Sequence, residues 1–116
     1  MTLNLYGDNE QPPPSLAAAL HSVQAAGQLF VTAAGNDSQL SDIGGVNPAS
    51  LARGNSAMLA VGASDPQDLQ TPYSSFSAVS THLFATGSGI YSTTLRGGYT
   101  FGSGAWCAVS KSEEKA

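Results

Sequence analysis

Charge is scarce in this sequence: Asp, Glu, Lys and Arg make up 10% of its 116 residues, against about 25% in ordinary soluble domains. Four Lys/Arg against eight Asp/Glu leave a formal net charge of −4. With no basic patch anywhere, nucleic acid is not expected as a partner. Four of the twelve charged residues fall in the last six positions, KSEEKA, so the body is nearly uncharged and its end differs from it in composition. Long apolar runs are also missing. None approaches the ~20 residues that cross a bilayer, and no membrane partner is expected. Met1 is followed by TLNLYGDNE, which has neither a cationic start nor a long apolar stretch, so no signal peptide is read. A single cysteine, Cys107, excludes an internal disulfide. No internal repeat is visible, and the length fits one domain with a modest core.

What is present reads as alternating strands and helices. TLNLY (2–6) predicts a short strand, ended by Gly7 and a turn-rich stretch through PPP. Ser15 is the expected N-cap of a helix over LAAALHSVQAA, with Leu16, Leu20 and Val23 on one face and Gly27 ending it. QLFVTAA (28–34) is a near-continuous apolar run, the pattern of a strand covered on both faces. Strand, helix and strand in this spacing predict a βαβ unit with parallel pairing. A long polar loop follows, then a second buried strand in AMLAVGAS (57–64). YSSFS, THLFAT and GIYST predict three short extended pieces separated by Gly/Ser punctuation, and GGYTFGSG leads to the end of the chain.

VTAAGND (31–37) is the most informative stretch. It sets Asn36 just beyond the carboxyl end of a parallel strand, where ligand sites form in open α/β sheets. An Asn there can aim its amide N–H at a developing negative charge. Gly35-Asn36-Asp37 is equally good turn chemistry, and taken alone the turn is the commoner case.

The stretch does not stand alone. LFVTAAGND, NPAS (47–50), MLAVGASD (58–65), YSSFS (73–77), LFATGSGIYST (83–93) and YTFGSG (99–104) follow one another in an order and spacing that resemble the subtilisin-like serine proteases, the subtilases. Upstream, NLYGD (4–8) is similar to the family's substrate-lining segment, with Leu5 where that segment has Ser. The resemblance covers residues 2–108. It implies an α/β fold, the three-layer α/β/α subtilisin-like architecture with a mostly parallel sheet, present in part. It also implies that Asn36 is the oxyanion-hole side chain. Extended peptide would then pair along Leu5, Tyr6 and Gly7 on one side and Ala33, Ala34 and Gly35 on the other.

Subtilases use an Asp, His, Ser triad in that chain order. The blocks carrying Asp and His would lie before residue 1. His21 falls in the helix, where a packing or solvent-edge role is expected. His82, in VSTHLF, lacks the His-Gly-Thr-His context of the family's base. The family's nucleophile block, Ser-Gly-Thr-Ser-Met-Ala, sets against Ser103, Gly104, Ala105, Trp106, Cys107 and Ala108. Trp106 stands where the nucleophile belongs, and sliding the register puts Gly104 there instead. Ser103 matches the first serine of the block, not the attacking one. Cys107 is one position late, and a lone cysteine with no matching His reads as a small hydrophobe.

Subtilases often bind calcium, but Asp37, Asp42, Asp65 and Asp68 match no oxygen-ligand loop. They read as solvated loop carboxylates, and neither a metal nor a cofactor is expected. AVSKSEEKA (108–116) shows no apolar stripe able to pack as the family's next helix. The expectation is therefore a partial subtilase catalytic domain over 2–108 and a non-homologous tail over 109–116, the break marking a misread gene boundary such as a retained intron. The parent would be a serine endopeptidase acting on peptides or proteins, secreted by family habit. The chain itself is expected to be inactive, and the alternative is a non-catalytic peptide-binding module.

Overall fold

The structure is a computed structural model and describes residues 5–6, 12–40 and 46–115. The described elements are β1 (Leu5–Tyr6), α1 (Pro14–Ala25), β2 (Phe30–Ala33), β3 (Val46–Asn47), a 3-10 turn over Ala49–Ala52, β4 (Met58–Ser64), β5 (Leu83–Thr86), β6 (Ile90–Thr93), β7 (Tyr99–Gly102) and α2 (Ala105–Lys115). The central sheet has the order β2-β4-β5, and both pairings are parallel. β6 and β7 form a separate antiparallel hairpin.

Strand alternation decides which residues meet which layer. Met58 and Ala60 of β4 point to one face, where they join Leu20 of α1 and Ala49 and Ala52 of the 3-10 turn. Val61 and Ala63 point to the other, where they meet Ala33 of β2 and Ala105, Ala108 and Val109 of α2. Three layers result, helix on sheet on helix. β4 is covered on both sides, which explains its unbroken apolar run. Gly62 sits opposite Phe84 in the β4–β5 ladder, and the Phe84 ring occupies the space that a Cβ at 62 would need.

Four expectations need correction. β1 pairs antiparallel with β3, Leu5 opposite Asn47, and not with β2, whose partner is β4. A strand-helix-strand pattern says that two strands flank a helix; it does not make them neighbours. β1 is only two residues long and finds its ladder with the equally short β3. The helix begins at Pro14, with Pro13 as its cap and no side-chain capping bond, rather than after Ser15. A proline at the first helical position gives up an N–H that had no partner anyway and brings a helical φ. Gly27 does end the helix, at φ +67, with the Gln28 N–H reaching back to the Val23 carbonyl at 3.1 Å. YSSFS is not a strand: Phe76 makes one bridge, to Leu40, and the serines bond elsewhere.

The fourth correction concerns the end of the chain, which is helical through Lys115. Ala105, Ala108 and Val109 are at most 2% exposed. They stand at i, i+3 and i+4, one face of a helix, and that face lies on the sheet.

His82 has a structural use. Its backbone N–H donates to the Ala60 carbonyl at 2.9 Å, and its Nδ1 accepts the Ala60 N–H at 3.2 Å. Ala60 is 1% exposed, so no water can replace that acceptor. We expect His82→Ala to lower the urea-unfolding free energy by about 1–3 kcal/mol, the cost of a buried donor left unpaired. His82→Asn, which keeps an acceptor near Cγ, should recover part of the loss.

Candidate functional site

β2 hands its last rung to β4 through the Ala34 N–H, which donates to the Val61 carbonyl at 2.9 Å. The chain then leaves the sheet at Gly35, whose φ of +112 suits a residue without a Cβ. Asn36 follows at the carboxyl end of the strand. Ala33, Ala34 and Gly35 are buried immediately before it.

From the other direction, the β6–β7 hairpin delivers Ser103 and Gly104 to the start of α2. The Gly104 N–H donates to the Gly87 carbonyl at 2.8 Å, and the Ser103 Oγ accepts the Gly89 N–H at 3.0 Å. These bonds fix the first turn of α2 beside the end of β2. The close approach needs Gly87: a Cβ there would stand 2.6 Å from the Gly104 carbonyl oxygen and 2.9 Å from the Ala63 Cβ. Gly87→Ala should cost about 1–3 kcal/mol through overpacking, read as a lower urea midpoint at unchanged m-value.

One hydrogen bond joins the two approaches. The Ala105 N–H donates to the Asn36 Oδ1 at 2.7 Å across 69 residues of sequence. A backbone N–H can only donate, so the amide oxygen must face it, and the orientation of the amide follows. The Asn36 Nδ2 is then turned away, buried and without a partner. Buried amide donors are nearly always satisfied, and one that is not marks a place where something else can bind. The site also lies at the amino end of α2, where first-turn N–H groups, that of Trp106 among them, have no helical carbonyl to reach. The arrangement offers donors and a positive dipole end to an oxygen that carries negative charge.

No described side chain here is a ready nucleophile. Trp106 is 48% exposed, its ring packed over Gly104 and lining a groove of about 530 Å³ between α2 and the β6–β7 hairpin. Burial pushes the Cys107 thiol above its ordinary pKa, a hydrogen bond with Trp106 acting the other way, so the thiolate form is disfavoured. His21 is exposed on α1, and the His82 Nδ1 is already taken by Ala60.

Leu5 and Tyr6 form β1, with their side chains outside the described portion, and Gly7 lies outside the described residues altogether, as does Asp42. The Asp65 Oδ1 accepts the N–H groups of Gln67 and Leu69, each at 2.9 Å, which is turn chemistry. Among the described residues no group of three or more His, Cys, Asp or Glu comes together to hold a metal. No described helix is long and apolar enough to cross a membrane.

The profile described as the Subtilase family matches residues 5–109, nearly the whole chain. The chain belongs to the subtilase family. Among solved structures, the prenylagaramide maturation protease PagA superposes with a TM-score of 0.78 at 27% sequence identity. The match takes in 92% of this chain and 37% of that protease, so the chain spans about a third of PagA's length. No curated protein matches it. The subtilase assignment agrees with the parallel sheet and with the helix-on-sheet layering described above.

Sequence reasoning missed the buried polar segment that is bonded to the end of β4. Thr71, Ser74 and Ser75 are each at most 4% exposed. The Ser74 Oγ accepts the Ala63 N–H at 2.9 Å, and the Thr71 Oγ1 donates to the Ala63 carbonyl at 3.1 Å. Serines pressed between apolar strands and next to an aromatic were the signal available in YSSFS.

Proposed function

We propose that this chain is the carboxyl-terminal part of a subtilisin-like serine endopeptidase domain. It keeps the oxyanion-hole amide, Asn36, and lacks the nucleophile. In the parent enzyme a serine attacks the scissile carbonyl, and the oxygen that becomes negative is held by the Asn36 amide and the first-turn N–H of α2. The acyl-enzyme is then released by water. Here Trp106 holds the serine's place. An indole has no group that can attack a carbonyl, and the chain as written is inactive.

The observation that carries this reading is the Ala105 N–H bond to the Asn36 Oδ1 at 2.7 Å. It leaves the Nδ2 as a buried donor with no partner, beside the amino end of a helix. Ala33, Ala34 and Gly35 would line the peptide cleft with Leu5, Tyr6 and Gly7. Peptides and proteins are the substrate class of the parent.

A second reading, a non-catalytic peptide-binding module, is favoured by the same surviving amide. It requires that the chain fold alone. The outer edges of β2 and β5 have no described strand beside them and no charged residue within them. Phe84 on β5 and Leu29 beside β2 are 43% and 55% exposed. Bare apolar edges of this kind promote association. Sedimentation velocity with a thermal melt separates the readings. A chain that melts cooperatively but self-associates supports the fragment; a monomer with a sharp melt supports the module.

A further inference from the structure

Asn36 is held from both sides by one buried residue. Ser75, 0% exposed, donates its backbone N–H to the Gly35 carbonyl at 3.0 Å. Its Oγ accepts the Asp37 N–H at 3.2 Å. One residue thus bonds to the residue immediately before Asn36 and to the residue immediately after it. Around this clamp the 72–76 segment is stitched to the 35–40 loop. The Ser38 N–H donates to the Tyr73 carbonyl at 3.0 Å, the Phe76 N–H to the Gln39 carbonyl at 3.0 Å, and the Ser38 Oγ to the Pro72 carbonyl at 2.6 Å.

The loop needs such a clamp. Ser38 at φ +55 holds a left-handed conformation that is costly for a residue with a Cβ, and Gly35 at φ +112 has many other conformations open to it. The Asn36 side chain has only one bond of its own, through Oδ1 to Ala105, and one bond leaves an amide free to tilt about it. Fixing the backbone on either side sets where the Asn36 Cα–Cβ bond points, and the Ala105 bond then selects the side-chain orientation. A donor that must meet a developing charge gains its effect from being held in place beforehand.

We infer that Ser75 is a positioning residue for the Asn36 amide, its hydroxyl setting the direction in which the unpartnered Nδ2 points. The inference rests on the reading of Asn36 as the oxyanion donor, but the clamp can be measured without any ligand.

The test uses the full chain, labelled with ¹⁵N, and follows the Asn36 side-chain NH₂ pair by NMR in three variants. In Ser75→Ala the pair should shift or broaden and its hydrogen exchange should speed up roughly five- to tenfold, as expected for one lost hydrogen bond. Ser75→Thr keeps the hydroxyl and should leave the pair near its wild-type position. Ser38→Ala removes a neighbouring stitch without touching the residues that flank Asn36, and should do the same. An unchanged pair in Ser75→Ala, or one displaced equally by Ser38→Ala, overturns the inference. If Ser75→Ala does not fold, Ser75→Thr decides: a pair displaced despite the retained hydroxyl overturns the inference, and a preserved pair supports it. A separate titration with an N-acetylated tripeptide bearing a free carboxylate reports on the oxyanion reading. Its failure in wild type would count against that reading and leave the clamp result standing.

Discussion

The purified chain is expected to hydrolyse peptide p-nitroanilides no faster than the buffer blank, and Trp106→Ser is expected to leave that rate where it is. In subtilisin, a member of this family, losing the nucleophile or the general base alone costs about 10⁶ in kcat. That figure is carried over from subtilisin and sets the scale of the deficit. Trp106→Ser places a hydroxyl at the second position of α2, but a serine attacks only when a base takes its proton. Of the histidines in the chain, His21 is exposed on α1 and His82 is bonded through Nδ1 to Ala60. Cys107, whose thiol pKa burial pushes up, does not stand in. A variant rate well above the blank, abolished by a second substitution at His82, would show that a base is in reach after all.

Asn36 is expected to show two separable effects. Asn36→Ala removes both ends of the amide. The Ala105 N–H, on a residue 0% exposed, loses its acceptor, and stability should fall by about 1–3 kcal/mol. The loss should be felt first at the amino end of α2, as faster amide exchange in residues 105–109. Asn36→Asp keeps an oxygen for the Ala105 N–H and adds a negative charge at a helix amino terminus, a favourable place for it by about 0.3–1 kcal/mol. At neutral pH this variant should melt above Asn36→Ala, because the Ala105 bond is kept, but below wild type, because its second oxygen takes the buried, unpartnered place of Nδ2. Neither variant has an amide N–H to offer an incoming oxygen, and both should lose affinity for a carboxylate peptide. Equal melting temperatures for the two variants would mean that the Ala105 bond contributes nothing to stability.

The parts of the fold legible in the sequence were those written in strong periodicity. AMLAVGAS read as a buried strand from its apolar run, and β4 meets α1 on one side and α2 on the other. Asn36 stood out because a buried strand followed by Gly-Asn puts a polar side chain at the strand's carboxyl end. Illegible were the features that depend on which distant segment comes next to which. The apolar stripe of α2 is made of Ala105, Ala108 and Val109, small side chains that hardly register as hydrophobic in a polar tail. The partner of β1 is β3, a two-residue strand with no periodicity of its own to mark it. The Ser75 clamp is one backbone bond and one hydroxyl bond, and nothing in the serine's identity announces which amide it will meet. The bond from Ala105 to Asn36 closes a loop of 69 residues, beyond the reach of any local pattern.

The claim that the oxyanion amide survives without a nucleophile can be met directly. The chain is incubated with a fluorophosphonate, which bonds to an activated serine with loss of fluoride, alongside active subtilisin, and intact mass is read for both. Subtilisin should gain one adduct and this chain none, at any pH at which it stays folded. A stoichiometric adduct mapped to Ser103, or to any other serine beside Asn36, would contradict the account.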